Sequence, residues 1–247
     1  MTDRHFADPR LAGLYDLWDP PERRGDFGFY LPIVMKSAAV LDIGCGTGAL
    51  LGLARQAGHA GRLCGLDPAD AMLQVARQRT DIDWVPGDAA SAAWDQEFGL
   101  AVMTGHAFQV LVRDDDIRSS LAAIRAALGN GGRFAFETRN PLARAWRNWT
   151  PDNAVEAAGP SGAPVRMAHQ VDGPFDGHTV SFTTTYTSPA WDGPLLSHST
   201  LRFLGASELA VFLAGAGFVI EEQFGDWDRQ PLTDASPEII TIARRLG

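Results

Sequence analysis

Val40-Leu41-Asp42-Ile43-Gly44-Cys45-Gly46-Thr47-Gly48-Ala49-Leu50 is an apolar run that ends in three glycines at alternating positions and then resumes as a helix-like sequence. The pattern predicts a strand, a tight loop and a helix. Glycine adopts positive φ and has no Cβ, so such a loop turns sharply and brings its own backbone against a bound molecule. About 20 residues further on, Gly65-Leu66-Asp67 reads as a second strand end carrying a carboxylate, where a nucleotide-binding βαβ unit holds a ribose. Together the two stretches point to an adenosine-containing cofactor.

The spacing is G-x-G-x-G rather than the G-x-G-x-x-G of dinucleotide sites, in which the helix N-terminus faces a pyrophosphate. Asp42, two positions before the first glycine, is a poor neighbour for a pyrophosphate and a good one for a cation. The run Asp42-Ile43-Gly44-Cys45-Gly46-Thr47-Gly48 resembles the first motif of the class I S-adenosylmethionine-dependent methyltransferases. The resemblance implies that Asp42, Gly44, Cys45, Gly46 and Gly48 lie against the amino-acid end of S-adenosyl-L-methionine, and that Asp67, with Pro68 beside it, takes both ribose hydroxyls. It further implies that Met72 packs on the adenine, that Asp88 accepts from the adenine amino group and that Ala89 offers its backbone amide. Outside the resemblance, a lone methionine more often fills core, and Gly87-Asp88 reads only as a turn. S-adenosyl-L-homocysteine would be the product.

The chain has 247 residues, enough for one large α/β domain with an insertion. Hydrophobic content of 45% and charged content of 21% suit a globular protein, and no apolar run approaches a membrane span. The start Met1-Thr2-Asp3-Arg4-His5 leads into no apolar signal core, so a cytoplasmic protein is expected. A formal charge of -9, with only the short basic pairs Arg23-Arg24 and Arg244-Arg245, argues against nucleic acid. Cys45 and Cys64 are expected as buried reduced thiols, and the scattered histidines carry no metal-binding spacing.

Outward from the glycine loop, the expected fold is an α/β, Rossmann-like seven-stranded methyltransferase sheet with helices on both faces and an antiparallel β insert after the fifth strand. Residues 1–37 are expected to form an N-terminal helical lid, with helices over 5–17 and 26–37 separated by Asp19-Pro20-Pro21. Residues 38–140 and 205–247 form the core, and 141–204 a substrate-binding or oligomerisation insert. Asp70 is a candidate cap for the helix after the second strand, and Gly129-Asn130-Gly131-Gly132 is expected to end the helix that Asp114-Asp115-Asp116 begins. Residues 133–138 read as the fifth strand, 141–149 as a short helix, and 150–164 as a Pro/Gly/Ala loop. Three alternating, threonine-rich stretches over 165–171, 179–187 and 196–204 read as the insert sheet. Ser207 is expected to cap the last helix and Gly217 to end it, before strands over 218–224 and 238–243.

Ligands of open α/β sheets lie beyond the carboxyl ends of the strands, so Thr104-Gly105-His106 after the fourth strand should face the reacting methyl group. A histidine ordinarily titrates near working pH, so His106 is the candidate general base, assisted by Tyr15 or Asp16; a hydrogen-bonded spacer or substrate-orienting donor is its other reading. Tyr15-Asp16 looks like the N-terminal Tyr-Asp element of small-molecule methyltransferases, although Tyr15, Trp18 and Tyr30 could equally be packing residues. Tyr15, Tyr30, Trp146 and Trp149 offer aromatic faces to a sulfonium. Trp18, Arg139, Trp146 and Trp149 are the candidate substrate contacts, Arg139 either holding an anionic or carbonyl group or pairing with Glu137.

The expected reaction is direct displacement onto an O, N or C atom of a small molecule such as a secondary metabolite, without a metal. Protein methylation or silent cofactor binding are the alternatives. A nicotinamide-dependent oxidoreductase is disfavoured by Asp42 and the glycine spacing.

Overall fold

The computed structural model describes residues 2–18, 20–159 and 161–247. Three short helices, α1 (Arg4–Ala7), α2 (Pro9–Ala12) and α3 (Tyr15–Trp18), lead through a 3-10 turn at Pro21–Arg23 into α4 (Gly25–Val34). The single helix expected over 5–17 is thus divided, because Pro9 cannot donate to a preceding turn and instead opens α2 behind the Asp8 cap. Asp19 of the expected breaker lies outside the described residues.

A regular alternation follows: β1 (Ala39–Ile43), α5 (Ala49–Gln56), β2 (Arg62–Asp67), α6 (Asp70–Ala76), β3 (Asp83–Pro86), β4 (Phe98–Met103), α7 (Asp114–Ala127) and β5 (Leu128–Arg139). After β5 the chain leaves the sheet for β6 (Val155–Ala158), β7 (Pro164–Val171), β8 (Thr179–Thr187) and β9 (Leu195–Arg202), then returns through α8 (Ala206–Gly215), β10 (Phe218–Phe224) and β11 (Glu238–Arg245). The main sheet has the order β10-β11-β5-β4-β1-β2-β3, with β11 antiparallel to both neighbours and the pairs among β1 to β5 parallel. The seven-stranded sheet and the separate antiparallel sheet are those expected.

β1 is covered on both faces and accordingly apolar on both. Leu41, Ile43, Leu66, Phe134 and Phe136 pack against Ile117, Leu121 and Ile124 of α7 and Leu209 and Leu213 of α8. On the opposite face Val40, Leu100, Val102 and Ile240 pack against Phe29, Tyr30 and Val34 of α4 and Leu50, Leu51 and Ala54 of α5. These two layers hold the strand ends, and so the loops beyond them, in fixed register.

Several local expectations are corrected. Gly129 to Gly132 do not simply end α7: they are a bulge within β5, where the register with β4 jumps from Phe98↔Leu128 to Leu100↔Arg133 and Gly131 takes φ 73°. The insert sheet has four strands rather than three, because Val155–Ala158, read as loop, pairs with β7. Residues 141–149 form two 3-10 turns, parted by Arg144 at φ 52°. Gly205, not Ser207, is the N-cap of α8, its amide donating to Glu208 Oε2 at 2.9 Å. Asp70 lies inside the first turn of α6 and binds Gln74 and Arg77 instead of capping. Among the described residues no helix is long and apolar enough to cross a membrane.

Candidate functional site

The glycine loop is pinned from below. Gly44 and Cys45 both donate backbone N–H to the Leu66 carbonyl, at 2.8 and 3.1 Å, tying the end of β1 to that of β2. Gly44, Gly46 and Gly48 have φ of 71°, 55° and 77°, where an L side chain is strained. Gly48 is also needed for space, since a Cβ there would lie 2.2 Å from Trp84 Cη2. A Cβ on Gly46 would meet nothing within 4 Å, so that part of the loop faces open space. Cys45 and Cys64 are buried with free thiols.

Above the loop is a small cleft lined by Tyr15, Arg24, Phe27, Asp42, Thr47, Thr104, Gly105 and the loop itself. Asp67, at the end of β2, accepts Gly46 N–H on Oδ2 and Ala69 N–H on Oδ1, both at 2.8 Å. Each oxygen retains a second lone pair for a ligand hydroxyl. Asp42 is 1% exposed, and its Oδ1 has no hydrogen-bond partner. Burial, with Asp67 nearby, pushes its carboxyl up to about 7. A buried carboxylate oxygen without a donor is costly, and a cationic donor in the cleft would satisfy it. Arg24, held by Asp26 and stacked over Phe27, supplies a positive charge on the same cleft.

The start of α6 is covered by the N-terminal segment. Phe6, Ala12 and Tyr15 pack on Ala69, Ala71 and Met72, and Asp16 Oδ1 accepts the Thr47 hydroxyl at 2.9 Å. Met72 is 1% exposed and Ala89 4% exposed, whereas Pro68 and Asp88 are exposed. Asp88 Oδ1 accepts Ser91 N–H at 2.9 Å as the cap of a 3-10 turn.

At the ends of β4, β5 and β11 the structure assembles a constellation only partly foreseen. His106 follows Thr104 and Gly105 with a positive φ of 61°, uncommon for a side-chain-bearing residue. Its backbone N–H donates to Glu137 Oε1 at 2.8 Å, and Glu137 Oε2 accepts the Tyr30 hydroxyl at 2.5 Å. Tyr30, expected beside the sulfonium, is 0% exposed and packs its ring against Phe29 and Trp227. The carboxylate on the His106 imidazole is Glu238, whose oxygens lie 3.0 and 3.1 Å from Nε2; Asp16, expected as its helper, serves Thr47 instead. Sequence reading treated Glu238 only as the start of a strand. Because β11 is antiparallel, its first residue comes to the rim where the parallel strands end, opposite Arg139.

Burial, then Arg139, pushes His106 down to about 3, while burial pushes Glu238 up to about 8. Folded, the pair therefore keeps one proton between those limits. Unfolded, with ordinary values of 4.5 for glutamate and 6.5 for histidine, it also holds one proton between 4.5 and 6.5. Its contribution to stability is then flat between 4.5 and 6.5, and it is lost as pH rises from 6.5 through about 8. Between pH 6 and 8 the loss should be about 1–2 kcal/mol, a few degrees of Tm for a chain of this size. Glu238→Gln should abolish this component in thermal melts at the two pH values. An identical decline in both proteins would assign the proton elsewhere.

Towards the insert, the Trp149 ring packs tilted against Phe182, with centroids 4.7 Å apart, and lies under the Arg139 guanidinium at 5.4 Å. Arg139 does not pair with Glu137; its Nη1 donates to Gln109 Oε1 at 3.0 Å. Trp146 is buried against Phe175 and Phe203 in the packing beneath the insert, away from Trp18, which packs on Tyr186. His5 Nδ1 meets the Tyr186 hydroxyl and His5 N–H donates to Ser197 Oγ at 2.8 Å, fastening α1 to the insert. Among the described residues, no group of three or more His, Cys, Asp or Glu could hold a metal ion.

Residues 40–132 match a family described as a methyltransferase domain. A 2-phytyl-1,4-naphtoquinone methyltransferase from Thermosynechococcus vestitus is 38% identical over 152 residues, covering 55% of this chain and 64% of that protein. The chain thus spans less than two thirds of that relative's length. The CcbJ methyltransferase from Streptomyces caelestis superimposes with a TM-score of 0.77 at 20% identity over 100% of both chains. S-adenosylmethionine-bound CalS10, an amino pentose methyltransferase from Micromonospora echinaspora, gives 0.64 at 20% identity, over 93% of this chain and 91% of its own. The glycine loop on β1 and the carboxylate ending β2 lie within the stretch that matches a methyltransferase domain, and the chain as a whole shares its fold with the CcbJ methyltransferase.

Proposed function

We propose that the protein transfers a methyl group from S-adenosylmethionine to an O, N or C atom of a small-molecule acceptor by direct displacement. The observation that carries this is the buried, unpartnered Asp42 oxygen facing a glycine loop whose neighbouring carboxylate, Asp67, has free lone pairs. That set suits a ligand with a cationic amino-acid end and a ribose. The naphthoquinone and amino pentose named for the relatives, together with a lid and an insert closing over the rim, favour a compact acceptor over a protein chain in an open groove.

The cofactor supplies an electrophilic methyl on a sulfonium. In this reading Asp67 holds the ribose, Asp42 the ammonium and Arg24 the carboxylate, while Met72 and Asp88 border the adenine. Thr104 and Gly105 support the reacting end. His106, oriented by Glu238, takes the acceptor proton in molecules whose pair has given up its own proton, a form that grows as pH rises towards about 8, and Tyr15 and Trp149 wall the acceptor space. Positioning of nucleophile and methyl in line supplies much of the rate without a covalent enzyme intermediate. The insert forms the acceptor wall in this reading, and contact with a second copy of the chain is its further use.

The test is calorimetric binding of S-adenosylmethionine and S-adenosylhomocysteine, with NAD as control, followed by an acceptor screen by mass shift. Binding of NAD alone would discard the reading. Once an acceptor is found, His106→Ala should cut kcat by about 10²–10⁴-fold, the usual worth of a positioned base, with cofactor Kd little changed. Undiminished kcat would remove His106 from the chemistry.

A further inference from the structure

Arg139 ends β5 at the rim, where Glu238 and Glu137 act on its charge from a distance but neither carboxylate touches its guanidinium. Its recorded hydrogen-bond partner is a neutral one, the Gln109 side-chain carbonyl, which is itself fixed because Gln109 Nε2 donates to the Arg202 carbonyl at 2.8 Å. Trp149 covers one face of the guanidinium. No carboxylate makes an ion pair with it among the described residues. Glu137 is taken by Tyr30 and the His106 amide, and Glu238 by the His106 ring. The remaining N–H donors are not sealed among the buried polar atoms that lack partners, so they stay open to an incoming group. The guanidinium is close enough to act electrostatically on both His106 at the rim and His169 of the insert. Arg24, not Arg139, lines the cleft over the glycine loop.

A half-buried guanidinium whose one direct partner is neutral keeps donors to spare, and a planar fork of free donors matches an oxyanion bidentately. From this geometry we infer that the acceptor carries an oxyanionic group, a carboxylate or a phosphate, which Arg139 holds while His106 faces the atom to be methylated. The assignment rests on the methyltransferase reading above and narrows its substrate class. Gln109 and Trp149 act as positioning residues that present the fork in one orientation.

The experiment measures binding of 4-hydroxybenzoate, 4-hydroxybenzamide and phenyl phosphate to protein saturated with S-adenosylhomocysteine. The carboxylate or the phosphate probe should bind about tenfold or more tighter than the neutral amide, as loss of a charge-assisted contact implies. Which anion is preferred identifies the source. Arg139→Gln should erase the preference while S-adenosylhomocysteine still binds, and Arg139→Lys should retain part of it. Equal binding of the three probes, no binding of either anion at millimolar concentration, or a preference surviving in Arg139→Gln would overturn the assignment. Loss of S-adenosylhomocysteine affinity in Arg139→Gln would overturn it too, by giving the guanidinium to the cofactor. Failure of the wild-type protein to bind S-adenosylhomocysteine at all would instead remove the methyltransferase reading, and the acceptor class with it.

Discussion

Asp67→Ala is expected to weaken binding of S-adenosylmethionine and S-adenosylhomocysteine by about a hundredfold or more, since two hydrogen bonds to an ionised carboxylate contribute about 1.5–3 kcal/mol each. The same carboxylate accepts the Gly46 and Ala69 amides at 2.8 Å. Truncation therefore removes a ligand contact and also frees two donors that hold the glycine loop to the start of α6. Asp67→Asn separates these effects: it keeps the size and one acceptor oxygen but loses the charge and turns the other oxygen into a donor facing an amide. Calorimetry on both variants, with a melting curve as the control for folding, is the measurement. Wild-type affinity in Asp67→Ala would show that the ribose is held elsewhere.

Gly48→Ala should be the more damaging change to the fold. Its φ of 77° strains any L side chain, and the added Cβ would lie 2.2 Å from Trp84 Cη2. Left-handed strain and overpacking together cost about 2–5 kcal/mol, which lowers Tm by about 5–15 °C in a domain of this size. Gly46→Ala is the matched comparison, because its φ of 55° is strained but nothing lies within 4 Å of its Cβ. It should cost only about 1–2 kcal/mol in stability while placing a methyl where the ligand would rest. Exchanging Trp84 for leucine should recover part of the loss in Gly48→Ala and none in Gly46→Ala. Equal melting temperatures for the two glycine variants would mean that the indole yields freely.

The frame of the site was legible because backbone demands write themselves into residue type. Three positive φ angles require glycines, a strand buried on both faces requires an apolar run, and a strand end that grips a loop amide carries Asp67. Glu238 was not legible: its place beside His106 depends on the register in which β11 pairs with β5, which the residues of the strand do not specify. The partner of Arg139 was open for the same reason, since Glu137 stands two residues before it in the sequence yet turns to Tyr30 and His106. The glycines from 129 to 132 suit a helix stop and a bulge equally, and pairing with β4 decided between them. Short segments such as β6 carry too few residues for alternation to register, so their pairing emerges only with the partner strand.

The N-terminal segment is fastened at two places: Asp16 grips Thr47 in the glycine loop, while His5 is bound to Ser197 and Tyr186 of the insert. One stretch of chain thus bridges the glycine loop and the insert sheet. Under the function proposed above, cofactor and acceptor would leave on a common clock, the rate at which this double clasp lets go.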